Sequence, residues 1–245
     1  MRAGIFAALV CLSATPVAAQ QNQSVITEVL HTVGGDFQRL ASRESLLTLG
    51  GATGLALGML VEERDRSHLT PQTDRIEDTF EEAAVLGHGL TQIGGSAALF
   101  AIGHFAHQPR LDSLGLELMR AQTITGALTQ ALKVGIGRRR PDGGPRSFPS
   151  GHTSAAFATA TVLEHDFGWK VGVPSYLLAG YIGASRVAGN HHYGSDVVVG
   201  AAIGLVSARA VTRPRTSHPS ISVTPVLGRS SAGMEIGRAS CRERV

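Results

Sequence analysis

The sequence predicts an all-α fold, a helical bundle of about six core helices, and three observations predict it. Six apolar stretches, at about residues 46–61, 83–106, 116–134, 154–163, 173–184 and 197–211, recur between polar connections. Alanine, leucine and glycine dominate them, and their β-branched residues are scattered rather than set in alternation, which favours helix over strand. The 245 residues are 43% hydrophobic and 17% charged, enough apolar material for one sizeable core and too much for disorder. The 30 glycines follow no collagen-like period, and two cysteines can neither staple a small scaffold nor build a four-thiolate metal site.

Taken in order, residues 1–19 have the three-part form of a secretory signal peptide: Arg2, an apolar run from Ala3 to Leu12, and the small-residue close Val17-Ala18-Ala19, with cleavage expected after Ala19. An uncleaved anchor needs a longer run, because about ten residues cannot cross ~30 Å of hydrocarbon. The expected location is therefore exported, periplasmic or cell-envelope. Cleavage removes Cys11 and leaves Cys241, so an exported form holds no intramolecular disulfide. Residues 20–44 form a polar segment with a short amphipathic helix expected at about 26–40, and residues 45–212 form the main domain. Within it, the charged stretch 62–82 reads as a surface connection between the first two long helices.

Past Val211, Pro214 and Pro219 stop the bundle, and Ile221 to Val226 alternates like a short strand in a C-terminal extension, 213–234. Residues 235–245 back-translate into a common sequencing-library adapter and are read as a non-native tail. Leader and tail each carry one net positive charge, so the formal +3 falls to +1 between them. The sequence pI near 9.2 then carries no functional message, and no nucleic-acid partner is expected.

Only residues 83–106 exceed the ~18 uncharged residues of a spanning helix. Arg120, Lys133, Glu164 and Arg209 cut the other stretches, and the mean hydropathy is only +0.09. The reading is a soluble or peripheral bundle beyond the inner membrane, with an integral inner-membrane protein as the alternative.

Three clusters between Lys133 and Asp196 carry chemistry. Lys133 and Arg140 lie seven residues apart, about two helical turns, so both reach one face. Pro149-Ser150-Gly151-His152 is a polar turn opening a helix, where unpaired N–H groups and the positive end of the dipole favour an anion. Ser185-Arg186 ends one helix, and His192 and Asp196 lead into the next. Singly, each has a plain structural reading: a solvated arginine run, a helix cap, a histidine–aspartate hydrogen bond. Together they hold what phosphoryl transfer needs, namely fixed cations, oriented donors, a nucleophile with an orienting carboxylate and a second histidine.

Lys133 with Arg140-Pro141, then Pro149-Ser150-Gly151-His152, then Ser185-Arg186 with His192 and Asp196, resembles the tripartite signature of the type 2 phosphatidic acid phosphatase (PAP2) superfamily, which includes class A acid phosphatases and vanadium-dependent haloperoxidases. The resemblance covers roughly residues 45–212. Its one departure is the seven-residue gap between the first two motifs, short for the family.

The resemblance implies a bundle with its phosphate pocket at helix ends and a metal-independent acid or lipid phosphatase working through a phosphohistidine. His192 would be the nucleophile, Asp196 its orienting carboxylate and His152 the general acid and base. Lys133, Arg140, Ser150, Gly151 and Arg186 would cradle the phosphate. No metal and no cofactor is expected. The implied substrates are phosphate monoesters or diphosphates such as phosphatidic acid or undecaprenyl diphosphate, or a small phosphomonoester, with membrane association and oligomeric state left open. The alternatives are a vanadate-dependent haloperoxidase and a catalytically inactive anion-binding helical module. His191, whose partner at four residues is Ser195, is assigned a structural duty. Arg138, Arg139 and Arg146 are read as solvated loop or helix-end charges, with a widening of the positive field as the alternative, and His88, His104, His107 and His165 as structural residues without partners at ligand spacing.

Overall fold

The computed structural model of the protein describes residues 32–66, 85–213, 220–227 and 232–239. The expected signal peptide, both cysteines and most of the charged connection lie outside the described residues. The helical unit runs to Thr212, and a separate unit begins at Arg213. Among the described residues of the first, eight segments are helical: α1 (32–39), α2 (Arg43–Arg66), α3 (a single turn, 85–87), α4 (Gly89–Phe105), α5 (Pro109–Ile136), α6 (Gly151–Phe167), α7 (Trp169–Ala188) and α8 (Gly194–Thr212). All six apolar stretches are helical, as composition predicts.

The longest apolar stretch is not one helix. It breaks at His88, which takes an extended conformation (φ −69°, ψ 131°) and caps α4 by accepting the Leu90 N–H on Nδ1. An imidazole acceptor here does what Ser or Asp does at most helix starts, satisfying an orphan donor of the first turn. Among the described residues, the helix that matches a membrane span in length and hydropathy is instead α8, whose residues are mostly buried inside the bundle.

Helices α6 and α8 form the centre. The main cluster joins Leu114, Leu118, Ala121 and Ile124 of α5 to Ala158 and Val162 of α6 and to Ala208 and Val211 of α8. Ala179 and Ile182 of α7 close on Ala156 and Ala160 of α6, and Ala56 of α2 closes on Val199 and Ile203 of α8. Small side chains let the central pair come close. A Cβ on Gly200 would lie 2.6 Å from the Ser150 carbonyl oxygen, so α8 passes directly against the start of α6. Sequence reasoning did not foresee one buried polar tie. Asp36 in α1 is fully buried and accepts from Arg120 of α5 (2.8 and 2.6 Å) and from Arg39 (3.0 Å), while Arg39 also donates to the Ala210 carbonyl of α8.

On the outside, Leu46, Leu47, Leu55 and Leu57 of α2, Leu90, Ile102 and Phe105 of α4, and Trp169, Leu177 and Leu178 of α7 are exposed. The second unit is an antiparallel hairpin, β1 (Ser220–Leu227) with β2 (Ala232–Ala239), in which Ser220 faces Ala239 and Leu227 faces Ala232. The strand expected at 221–226 is present. Its partner, which takes in residues 235–239, was not foreseen.

Candidate functional site

The site forms where four helix ends meet: the C-terminal ends of α5 and α7 and the N-terminal ends of α6 and α8. Gly137 in the left-handed conformation (φ 62°) ends α5, and the chain then folds through residues 138–150 before entering α6. Arg140 opens a tight turn in which its N–H donates to the Gly144 carbonyl and its carbonyl accepts from Gly143. The loop 189–193 closes over this turn. Asp142 N–H donates to the Asn190 carbonyl (3.1 Å), and the Asp142 carboxylate meets His191 Nδ1 at 3.0 Å. His191 thus latches two loops together, in keeping with the structural duty its sequence position implied.

Its neighbour His192 turns inward and is only 3% exposed. His192 Nδ1 faces Asp196 Oδ2 at 3.5 Å, one turn into α8, leaving Nε2 as the ring nitrogen turned away from the carboxylate. Asp196 is fully buried and heavily served. Its Oδ2 accepts the Tyr193 N–H at 3.0 Å and a short hydrogen bond from the Ser147 hydroxyl, and its Oδ1 accepts from Arg138 Nη1 at 2.8 Å. Burial pushes its carboxyl up, but the bonds from His192, Ser147 and Tyr193 and the Arg138 charge outweigh it and hold the group below the usual carboxylate range. His192 itself is held below the usual imidazole range, first by burial and then by the charges of Lys133 and Arg140, against the pull of Asp196. It therefore stands neutral at pH 7 with a lone pair available.

The cations surround this pair. Lys133 Nζ donates to the Arg146 carbonyl at 2.8 Å; burial first, then Arg140, lowers its ammonium to about 8, so an arriving dianion would restore its full charge. Its Cε lies 3.8 Å from where a Cβ on Gly151 would sit, which sets the lysine beside the first residue of α6. Arg140 Nε is buried and makes no hydrogen bond among the described residues. Arg186 is buried at the end of α7, its Nε donating to Ser185 Oγ at 3.3 Å. Ser150 is fully buried, donates its N–H to the Asp196 carbonyl at 3.0 Å and accepts the Thr153 hydroxyl on its own Oγ. His152, in the first turn of α6, is pushed down to about 4, chiefly by burial and then by Arg186, His88, His192 and Arg140. The eight residues singled out from sequence, Lys133, Arg140, Ser150, Gly151, His152, Arg186, His192 and Asp196, are thus brought together where these four helix ends meet.

Two further residues belong with them. Arg138, taken from sequence for a solvated charge, is a correction. It bonds Asp196 and Ser195 (2.7 Å), and its guanidinium lies 3.8 Å from the centroid of the Tyr193 ring. Ser147 bridges Asp196 and His192, and only its place just ahead of Pro149-Ser150-Gly151-His152 could have marked it. Arg139 and Arg146 are exposed, as expected. His165 bonds Asp166 at 2.9 Å, and one ligand atom each of His165, Glu117 and Asp166 lie within 4.8 Å of one another, at the end of α6 away from His152. Arg138→Met is expected to lower the unfolding free energy by about 3 kcal/mol, because it leaves the Asp196 carboxylate buried without its cation. A thermal melt should show a Tm lower by roughly 6–12 °C.

Residues 114–217 match the family model described as the PAP2 superfamily. Over 149 residues the chain is 41% identical to a lipid A 1-phosphatase of Porphyromonas gingivalis, covering 55% of this chain and 34% of that protein. Over 119 residues it is 33% identical to a PA-phosphatase related-family protein of Dictyostelium discoideum, covering 37% and 44%. The chain thus spans about a third and under half of the lengths of these two relatives. Among solved structures, the first transmembrane PAP2 type phosphatidylglycerolphosphate phosphatase from Bacillus subtilis superposes with a TM-score of 0.50 at 20% identity, over 77% of this chain and 92% of that one, and shares its all-α fold. The stretch that matches the PAP2 superfamily model, residues 114–217, holds all of these site residues.

Proposed function

We propose that the protein is a metal-independent phosphatase of phosphorylated lipids, acting through a phosphohistidine on His192. The observation that carries this reading is a buried imidazole, oriented by Asp196 and set among Lys133, Arg140 and Arg186 at the meeting of four helix ends. Nε2 of His192 attacks phosphorus, and the bond to the leaving oxygen breaks as His152 gives that oxygen its proton. Water then enters; His152 takes a proton from it as its oxygen bonds to phosphorus, and the N–P electron pair returns to His192. Lys133, Arg140 and Arg186 stabilise the equatorial oxygens, with the Gly151 N–H and Ser150 at the helix start. The buried Nε of partly exposed Arg140, partnerless among the described residues, supports an anion there, since buried guanidinium donors otherwise find acceptors.

A lipid substrate is supported by the wall behind His152. A cavity of about 270 Å³ between α4, α6 and α7 is lined largely by apolar residues, among them Leu86, Ala156, Ala160, Leu178 and Ile182. Ile182 and Leu86 flank Gly87, which packs against His152, so an acyl chain seated in the cavity would lie beside the leaving-group end of the pocket. The exposed leucines of α2, α4 and α7 fit a bundle resting against lipid, outside the cytoplasm if the leader directs export. A substrate panel with and without chelator tests the reading. Activity on a long-chain lipid phosphate should survive chelation. Ala160→Phe should reduce that activity at least about tenfold while sparing a water-soluble phosphate ester. Chelator-sensitive turnover, or equal loss on both substrates, contradicts it.

A further inference from the structure

His88 has no step in the reaction above, yet it lies against the residue that moves the proton. The chain turns at His88 between α3 and α4, where Nδ1 accepts the Leu90 N–H at 3.3 Å. That bond orients the ring and fixes its tautomer, because Nδ1 must be unprotonated to accept and a neutral His88 then carries its proton on Nε2. The rings of His88 and His152 meet edge-on, with centroids 5.6 Å apart and planes at 67°. The approach depends on the preceding residue. A Cβ on Gly87 would lie 2.7 Å from Ile182 Cγ2 and 3.2 Å from His152 Cβ, so a larger residue would push the turn outward. Charged or titratable groups face His152 from each element around it: Arg186 from α7, Arg140 from the loop before α6, His192 from the loop before α8, and His88 from the α3–α4 turn. Of these four, His88 is the exposed one.

We propose that His88 is a positioning residue for His152: the α3–α4 turn, packed closely at Gly87, sets its ring beside His152, where its charge decides how readily His152 takes up a proton. The inference rests on the phosphatase reading, in which His152 must be charged to protonate the leaving oxygen. Neutral His88 packs against His152 and keeps the cap. Protonated His88 sets a second positive charge beside the ring and gives up the cap, because a protonated Nδ1 cannot accept from Leu90. The low proton affinity of His152, to which His88 contributes after burial and Arg186, agrees with this arrangement.

The test is kcat/KM against pH for an alkyl phosphate ester in the wild type, His88→Asn, His88→Lys and His192→Ala. Asparagine keeps a side-chain oxygen for the cap and never charges, whereas lysine charges and offers no acceptor. The basic limb, where His152 loses its proton, should move up by about half to one pH unit in His88→Asn, as for a like charge removed at this distance across a partly solvated gap. It should stay close to the wild type in His88→Lys, which keeps a positive charge at this place and gives up the cap. A residue that merely caps α4 would give the reverse, with asparagine matching the wild type and lysine departing from it. Coincident limbs in all three proteins, with His192→Ala inactive, overturn the role of His88 and leave the phosphatase reading standing. An active His192→Ala overturns that reading and this inference with it.

Discussion

His192→Ala is expected to lower turnover of any phosphate ester by at least about four orders of magnitude with little change in fold. Loss of a nucleophile removes a whole reaction path, and residues acting as one unit with it cannot make good the loss. Here the unit is His192, Asp196, Ser147 and Arg138. The alanine variant leaves Asp196 bonded to Ser147, Arg138 and the Tyr193 N–H, so its buried charge keeps three of its partners. Thermal melting close to the wild type, together with the loss of activity in a phosphate-release assay, would separate chemistry from stability. Residual activity above about one hundredth of the wild type would contradict a nucleophilic His192.

His152→Ala should give the second largest effect, and its size should depend on the leaving group. On an alkyl or lipid phosphate, whose departing oxygen needs a proton, kcat/KM should fall by about 10²–10⁴. On a nitrophenyl phosphate, whose oxygen leaves as the anion, the loss should be under about tenfold. The pH dependence follows from the direction of its shift. His152 is pushed down to about 4 by burial and by Arg186, so in the free enzyme its charged fraction falls about tenfold for each pH unit above that value. The kcat/KM for alkyl esters should therefore rise toward acid pH. A bound phosphate dianion favours charged His152, so the kcat profile should extend to higher pH than that of kcat/KM. Equal losses on alkyl and nitrophenyl esters would remove His152 from proton transfer.

Sequence made the helical class and the pocket largely legible, because both rest on patterns that survive without coordinates. Apolar stretches rich in alanine and leucine mark helices wherever they pack, and the Lys133, Ser150 and His192 clusters each sit at a helix end where cations or free N–H groups gather. What sequence did not disclose depends on contacts between distant segments. Arg138 sits in a run of three arginines that looks alike from end to end, and only the fold shows that it reaches Asp196 while Arg139 faces solvent. Asp36 gives no local sign that Arg120, 84 residues later, holds it. The break at His88 was hidden because its apolar surroundings read as one continuous helix, and a histidine is an uncommon cap.

The central claim is a covalent bond between phosphorus and Nε2 of His192. The most direct measurement is rapid acid-free quenching of the protein during turnover of a ³²P-labelled phosphate ester, followed by mapping of the label. The account predicts a label stable to alkali and lost in acid, on the peptide holding His192 and absent from His192→Ala. Turnover without label, or label that persists in His192→Ala, would contradict it.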